Sequence, residues 1–330
     1  MVTLGNTLPT LAGLAKMYTE DGKMLKLVDM LALTDEMTAD IPFYETNQTS
    51  SHLVSVLTGY PSATWTLFNQ GTPITKATHA QLTETVGMLS SRAQVDQRLA
   101  ELNGNVMDYR FKQARPFVNA MGNQFAQTWI YGNYSTSPEQ YNGLSVRFNS
   151  LSAGTGANII DAGGTGTDNT SIWIIGFGEN SIYGLYPKGS KIGLQHEDLG
   201  LLDAPDANKD NFRAYTDLWS WNAGMAIEDW RYIVRIANID VSNLVAESSA
   251  ADISKLVMKA LNRVPNLTGA KFGIYVNRTV KEMWGIQTRN DVKAGGGLTY
   301  DNADGRPVAS AWGIPVRTTD SILITEPRIV

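Results

Sequence analysis

From Leu82 to Val106 the chain reads LTETVGMLSSRAQVDQRLAELNGNV, a long polar run without proline whose apolar positions change phase halfway along. Leu82, Val86, Leu89 and Ala93 follow one another at helical steps of three and four, and so do Val95, Leu99, Leu102 and Val106. At about 100° per residue the second set sits roughly 220° around the axis from the first. Thr78 or Thr83 can cap the start, and Asn103-Gly104 can end the helix. Two readings fit. The run is either two shorter helices broken at Ser90-Ser91, or one continuous rod whose ends pack on different layers.

Bulk composition limits the function classes. Of 330 residues, 43% are hydrophobic and only 18% charged, so a large core is affordable and much of the surface is expected to be covered by something else. The net charge of −5 argues against a surface built to neutralise nucleic-acid phosphates. With no cysteine, disulfides, thiolate metal ligands and thiol nucleophiles are excluded. No basic-then-apolar leader and no apolar run long enough to span a bilayer is visible, so no membrane partner is expected.

Along the chain, residues 1–38 carry two short Met-rich helical patterns, which read as an arm because neither can bury its apolar face alone. Residues 39–78 read as a long hairpin with strands HLVSVLTG and ATWTLFNQG, turning near Gly59-Tyr60-Pro61. Trp65 and Leu67 alternate with threonines, giving a sticky face without local support. A helix is expected over 115–131, opened by Pro116 and closed by Gly132. Strands are expected at SIWIIGFG, SIYGLYP, WRYIVRIANID, KFGIYVN and ILITEPRIV. An amphipathic helix is expected over 252–262, with Ile253, Leu256, Val257 and Ala260 on one face, and a short one through Trp284. Residues 203–211 form a polar turn, and DVKAGGGLTYDNADGRP reads as a loop. Strands and helices mix without a βαβ rhythm, which is the α+β class.

Catalytic signatures are weak. DAGGTGTDN lacks a following Gly-Lys-Ser/Thr, and no G-x-S-x-G elbow occurs. His52, His79 and His196 are far apart, and His196-Glu197-Asp198 has no second metal ligand at helical spacing. Glu228-Asp229 could do acid–base work but more often such a pair marks a strand leaving the core. Trp219 and Trp221 read as packing residues. No catalytic, cofactor-binding or metal-binding residue is assigned, and no cofactor is expected.

The run GYPSATWTLFNQGTPITKATHAQLTETVGMLSSRAQVDQRLAELNG resembles the hairpin and spine helix of tailed-bacteriophage major capsid proteins with the Hong Kong 97-type fold. IYGNYSTSPEQYNGL, YPKGSKIGLQHEDLG, DWRYIVRIANID, YVNRTVKEMW and GIPVRTTDSIL add to the resemblance. It covers nearly the whole chain from about residue 8 and is similar above all to podophage coat proteins without a fused scaffolding segment. It implies an arm at 1–38, an extended hairpin loop at 39–78, and a peripheral domain at 79–170 with a spine helix over 79–104. An axial domain with returning peripheral strands follows at 171–330. GIPVRTTDSI follows WRYIVRIANID here, the reverse of the commoner order, which implies rewired strand connectivity. The implied function is an icosahedral head shell of hexamers and pentamers, assembled in the host bacterial cytoplasm around double-stranded DNA held non-specifically. The implied partners are further copies of the chain, a portal protein, a separate scaffolding protein and a cement or decoration protein. Contacts between subunits are expected at Tyr60, Pro61, Trp65, Leu67 and Phe68. Leu82, Val86, Leu89, Val95, Leu99 and Leu102 are expected as the spine-helix core. The rival readings are an encapsulin-like compartment shell, a β-rich hydrolase and a tail-tube protein.

Overall fold

The computed structural model describes residues 35–102, 105–205, 209–248, 250–290, 298–303 and 306–330. The two helical patterns of the arm lie, but for its last few residues, outside these. In chain order come β1 (Phe43–Glu45), β2 (Ser51–Gly59), β3 (Thr78–Asp96), α1 (Gln97–Glu101), α2 (Val106–Tyr131) and α3 (Leu144–Arg147). Then follow β4 (Ile159–Asp161), β5 (Asn169–Phe177), β6 (Ile182–Tyr186), β7 (Gln195–Pro205), β8 (Asn211–Ile227) and β9 (Ile233–Asp240). The chain continues through α4 (Val241–Val245), α5 (Ile253–Leu261), β10 (Lys271–Val276), α6 (Arg278–Asn290), β11 (Thr299–Ala303), β12 (Arg306–Ala311) and β13 (Ile314–Thr318). The described residues form two compact units, each assembled from separated stretches. One comprises 88–125 and 191–222; the other comprises 35–87, 126–190 and 223–330.

The larger unit is built on β5, every residue of which is buried. It pairs antiparallel with β9 on one side and β10 on the other, and β10 runs parallel to β13. Buried on both faces, such strands read as continuous apolar runs, which is why SIWIIGFG and WRYIVRIANID were legible. The apolar face of α5 (Ile253, Leu256, Val257, Ala260) and Val280, Met283 and Trp284 of α6 share one core with Ile172, Ile174, Val234, Ile236 and Ile274. Asp252 caps α5 by accepting from the Lys255 amide at 3.0 Å.

One ion pair in this unit is fully buried. Arg235 on β9 donates to Glu326 Oε2 at 2.9 Å, to Ser171 Oγ at 3.0 Å and to the Phe148 carbonyl at 2.7 Å. Its guanidinium lies 4.8 Å from the Trp173 ring centre. Ser171 and Tyr131 both donate to the Glu326 carboxylate. Burial, then that carboxylate's charge, push the Tyr131 phenol up, so it stays a donor. Glu326 is thereby held by side chains, and the carbonyls of Ile322 and Ile329 accept from Asn277 at 2.7 Å and Asn238 at 2.9 Å. ILITEPRIV is not the expected strand; it makes one isolated bridge, Asn169 to Glu326. Likewise, part of the expected loop at 291–307 is strand, since β11 pairs antiparallel with β12.

The smaller unit holds β7 paired with β8, the second half of β3, α1 and most of α2. Here the expected spine helix over 79–104 is overturned. Leu82, Val86, Leu89 and Val95 lie in the strand β3, Leu99 lies in the five-residue α1, and Leu102 is its 62% exposed C-cap. The reason is visible in the burial. Leu89, Ser91, Ala93 and Val95 turn inward, while Met88, Ser90 and Arg92 face solvent. The step of two from Ala93 to Val95, which breaks the helical phase, is the step of a strand. The two halves of β3 do serve two cores. Val86 packs with Val54, Tyr183, Leu185 and Ala226. Leu89 and Ala93 pack with Met121 and Trp219, and Val95 with Ala100 and Tyr109.

The long helix is α2, 26 residues or about 39 Å. It starts at Val106, ahead of the expected 115, so Pro116 lies inside it. Asn105 supplies the cap, its Oδ1 accepting from the Asp108 amide at 3.2 Å, and Asp108 pairs with Lys112 at 3.0 Å. Gly132 ends it as expected, donating to the Thr128 carbonyl at 2.8 Å. A Cβ there would stand 2.5 Å from the carbonyl oxygens of Thr128 and Tyr141.

Candidate intersubunit surface

The β2–β3 hairpin is paired from Ser51↔Thr85 to Gly59↔Thr78. Its second strand is therefore β3, and the expected strand at 63–71 is irregular chain. Trp65-Thr66-Leu67 alternates like a strand, but among the described residues its side chains have nothing to pack on. At the hairpin base Val54 is buried, with Val56 and Val86 against it. Beyond Gly59 the chain leaves that support.

Residues 60–77 form the tip. Trp65, Phe68 and Ile74 are as exposed as in an extended chain, and Tyr60 and Leu67 are 82% and 79% exposed. Pro61 is exposed as well. The bonds that shape the tip are few: Gln70 N to the Leu67 carbonyl at 3.2 Å, Leu67 N to Gln70 Oε1 at 3.2 Å, and Thr75 Oγ1 to the Ser62 carbonyl at 3.1 Å. Lys76 is its only charged residue. Exposed aromatic and aliphatic side chains collected on one nearly uncharged segment are the composition of the buried centre of a protein interface.

A second exposed apolar feature lies on α2. Met107, Phe111 and Val118 recur at steps of four and seven and face solvent. With Ala114 and Trp219 they line a cavity of ≈ 470 Å³. Its polar wall is an ion cluster. Arg110 bonds Asp198 at 2.6 Å and Asp217 at 2.8 Å, and His196 Nε2 lies 2.9 Å from the same Asp217 oxygen. The Arg110 bond holds the Asp198 carboxyl below the usual range. Burial works to lower the Arg110 pKa, but its bonds to Asp198 and Asp217 outweigh it and raise it. The His196 ring stacks on Trp219 at 5.1 Å, Trp219 on Phe117 at 5.9 Å, and Trp221 on Phe125 at 4.2 Å. The tryptophans therefore pack β8 onto α2, and the His196 cluster is an ion-pair network.

The remaining candidates are also placed. Glu228 accepts from Tyr183 at 2.9 Å, and Asp229 caps a turn while holding Arg231 at 2.7 Å. His79 sits on β3 opposite Leu57. Among the described residues no group of His, Asp and Glu could hold a metal ion, and no helix is long and apolar enough to cross a membrane. Sequence reading missed Arg235 and Glu326. A lone arginine within an otherwise apolar strand was the available signal.

Residues 19–330 match the model of the family described as major capsid protein GP7. Among solved structures, the chain is similar to one from bacteriophage Epsilon15, with TM-score 0.79 and 30% identity over 100% of this chain and 99% of that one. Weaker likenesses are the bacteriophage JBD30 capsid (TM-score 0.49, 10% identity, 89% and 93% covered) and the holo-SrpI encapsulin complex from Synechococcus elongatus PCC 7942 (0.46, 11%, 66% and 92%). A search of curated proteins found no match.

Proposed function

The chain belongs to the major capsid protein GP7 family, and from that premise we propose that residues 60–77 are the segment by which one copy grips the next. The protein is a structural subunit with the Hong Kong 97-type fold, and it assembles with itself into the head shell of a tailed bacteriophage. The finer reading is ours. Tyr60, Pro61, Trp65, Leu67 and Phe68 enter the surface of a neighbour in hexamers and pentamers. A portal protein, a separate scaffolding protein and a cement or decoration protein complete the particle. Assembly takes place in the host bacterial cytoplasm, and packaged DNA is held without sequence preference by a shell of net negative charge.

The observation that carries this reading is the tip itself. Three large apolar side chains left fully exposed by the described residues are costly in water and gain only when covered. A contact of this kind joins two different patches and closes a ring when the rotation between copies divides a full turn. Replacing 62–76 with a short Gly-Ser link tests it. The expected product is a folded, soluble subunit, with unfolding close to wild type, that forms no closed shells by electron microscopy. Normal shells from that variant would overturn the reading.

A further inference from the structure

The hairpin leaves the sheet at a tight corner, residues 46–50, between β1 and β2. Thr46 anchors the near side: its amide donates to the Tyr186 carbonyl at 3.0 Å, and its Oγ1 accepts from the Lys188 amide at 3.0 Å. Asn47 spans the far side. Its Oδ1 accepts from the Leu53 amide and its Nδ2 donates to the Leu53 carbonyl, both at 2.9 Å. Its own amide donates to Nδ1 of His52 at 3.2 Å. An amide can only donate, so Nδ1 is an acceptor and neutral His52 carries its proton on Nε2. Nε2 lies 3.1 Å from Tyr183 Oη, and Tyr183 Oη lies 2.9 Å from Glu228 Oε1. All donors then point one way: Asn47 amide to His52, His52 to Tyr183, Tyr183 to the Glu228 carboxylate.

We propose that His52 is a proton-operated latch on this corner, closed when its ring is neutral and released when the ring takes up a second proton. The only vacant place for that proton is Nδ1. There the new N–H would face the Asn47 N–H, donor against donor, and the Asn47 bond is lost. The other end of the chain holds. Nε2 is a donor in both states, so the ring stays tied to Tyr183 while the corner loses its backbone bond to the ring and keeps only the Asn47 side-chain bonds to Leu53.

Charged and titratable groups face the ring from each element packed against it. Glu228 ends the relay. Glu84 on β3 stands opposite His52 in the strand register and is bound by Arg147 of α3 at 2.5 Å. Tyr44 on β1 meets Tyr183 edge-on at 5.0 Å. Glu45 on β1 accepts from the Gly189 amide at 2.7 Å, and Glu179, in the β5–β6 turn, acts on Tyr183 through its charge. Burial, then Glu228, push the Tyr183 phenol up, so it remains the relay's donor throughout. Asn47 is exposed, so water can replace its lost partner, and release alters the hairpin's take-off without unfolding the sheet.

Two measurements on the full-length subunit decide it. Hydrogen exchange of the segment 45–59 is compared at about pH 8 and about pH 5, bracketing the imidazole range, after correction for intrinsic rates. Wild type should lose protection by roughly fivefold at the lower pH, the scale of one hydrogen bond. His52→Gln, whose amide oxygen can accept from Asn47 at either pH, should be unchanged. An equal loss in both proteins, or none in wild type, overturns the proposal. Independently of any variant, 15N spectra of histidine-labelled wild type at about pH 8 should show His52 as the Nε2–H tautomer. The Nδ1–H tautomer would also overturn it.

Discussion

Single residues carry more than their type announces. Asp35 forms a bridge with Thr319, and burial pushes its carboxyl from the ordinary 3.8 up to about 6. The bond from the Met37 amide at 3.1 Å and the nearby Thr319 hydroxyl act against that rise, and the charges of Asp320 and Glu36 add to it. The folded state therefore binds the proton more tightly than the unfolded chain. The resulting stability is fully present below about pH 4 and is lost as pH rises through about 6. Asp35→Asn removes the titration. In denaturant melts the variant should exceed wild type at about pH 8 by on the order of 2 kcal/mol and match it near pH 4. Arg235 is the opposite case, a charge that the core has accepted because each of its three guanidinium nitrogens donates a hydrogen bond. Arg235→Met leaves Glu326 buried without its cation and should cost about 3–5 kcal/mol, read as a lower denaturation midpoint.

At the scale of elements, β3 is a strand where pattern reading gave a helix, and α2 is the helix it gave at 115–131, begun nine residues earlier. A strand of 19 residues with serine, threonine and glutamine on its open face offers helical and strand spacings at once. What decided for strand was the supply of partners, β2 along its first half and β8 beside it. Substitutions separate the two descriptions. Ala93→Asp puts a charge against Met121 and Trp219 and should destabilise by several kcal/mol, whereas Met88→Asp, at an 80% exposed position, should leave unfolding almost unmoved. In α2 the cap is the separable part. Asn105→Ala should cost about 1 kcal/mol, measured by chemical denaturation.

For the whole molecule, the distribution of apolar surface is the functional statement. A subunit with the larger unit's core complete in itself still leaves Trp65, Phe68 and Ile74 uncovered. Solitary, it is a protein with an unsatisfied surface, which the proposed grip on a neighbouring copy would cover. Trp65→Ser with Phe68→Ser should therefore leave the isolated subunit's melting unchanged and raise the concentration needed for shells by at least tenfold, followed by light scattering. Duplex DNA should bind weakly, with no sequence preference, as titrations across salt concentrations would show.

The class and the buried strands were legible from sequence because each rests on local information, and the shell-forming family was legible as a resemblance carried by runs such as DWRYIVRIANID. Continuous apolar runs such as IVRIANID have one stable home, and Asp252 followed by Ile253, Leu256, Val257 and Ala260 has one stable shape. The low charge and the sticky alternation around Trp65 could also be seen before any coordinates. Three things could not be seen. Whether 78–96 is helix or strand depended on hydrogen-bonding partners distant in sequence, because an isolated segment of ambiguous period has no way to choose. The hold of Arg235 on Glu326 joins positions 91 residues apart, and the Asn47–His52–Tyr183–Glu228 relay gathers donors from separate elements. Such polar networks leave no periodic trace along the chain; they exist only where tertiary packing removes water and brings each donor to its acceptor.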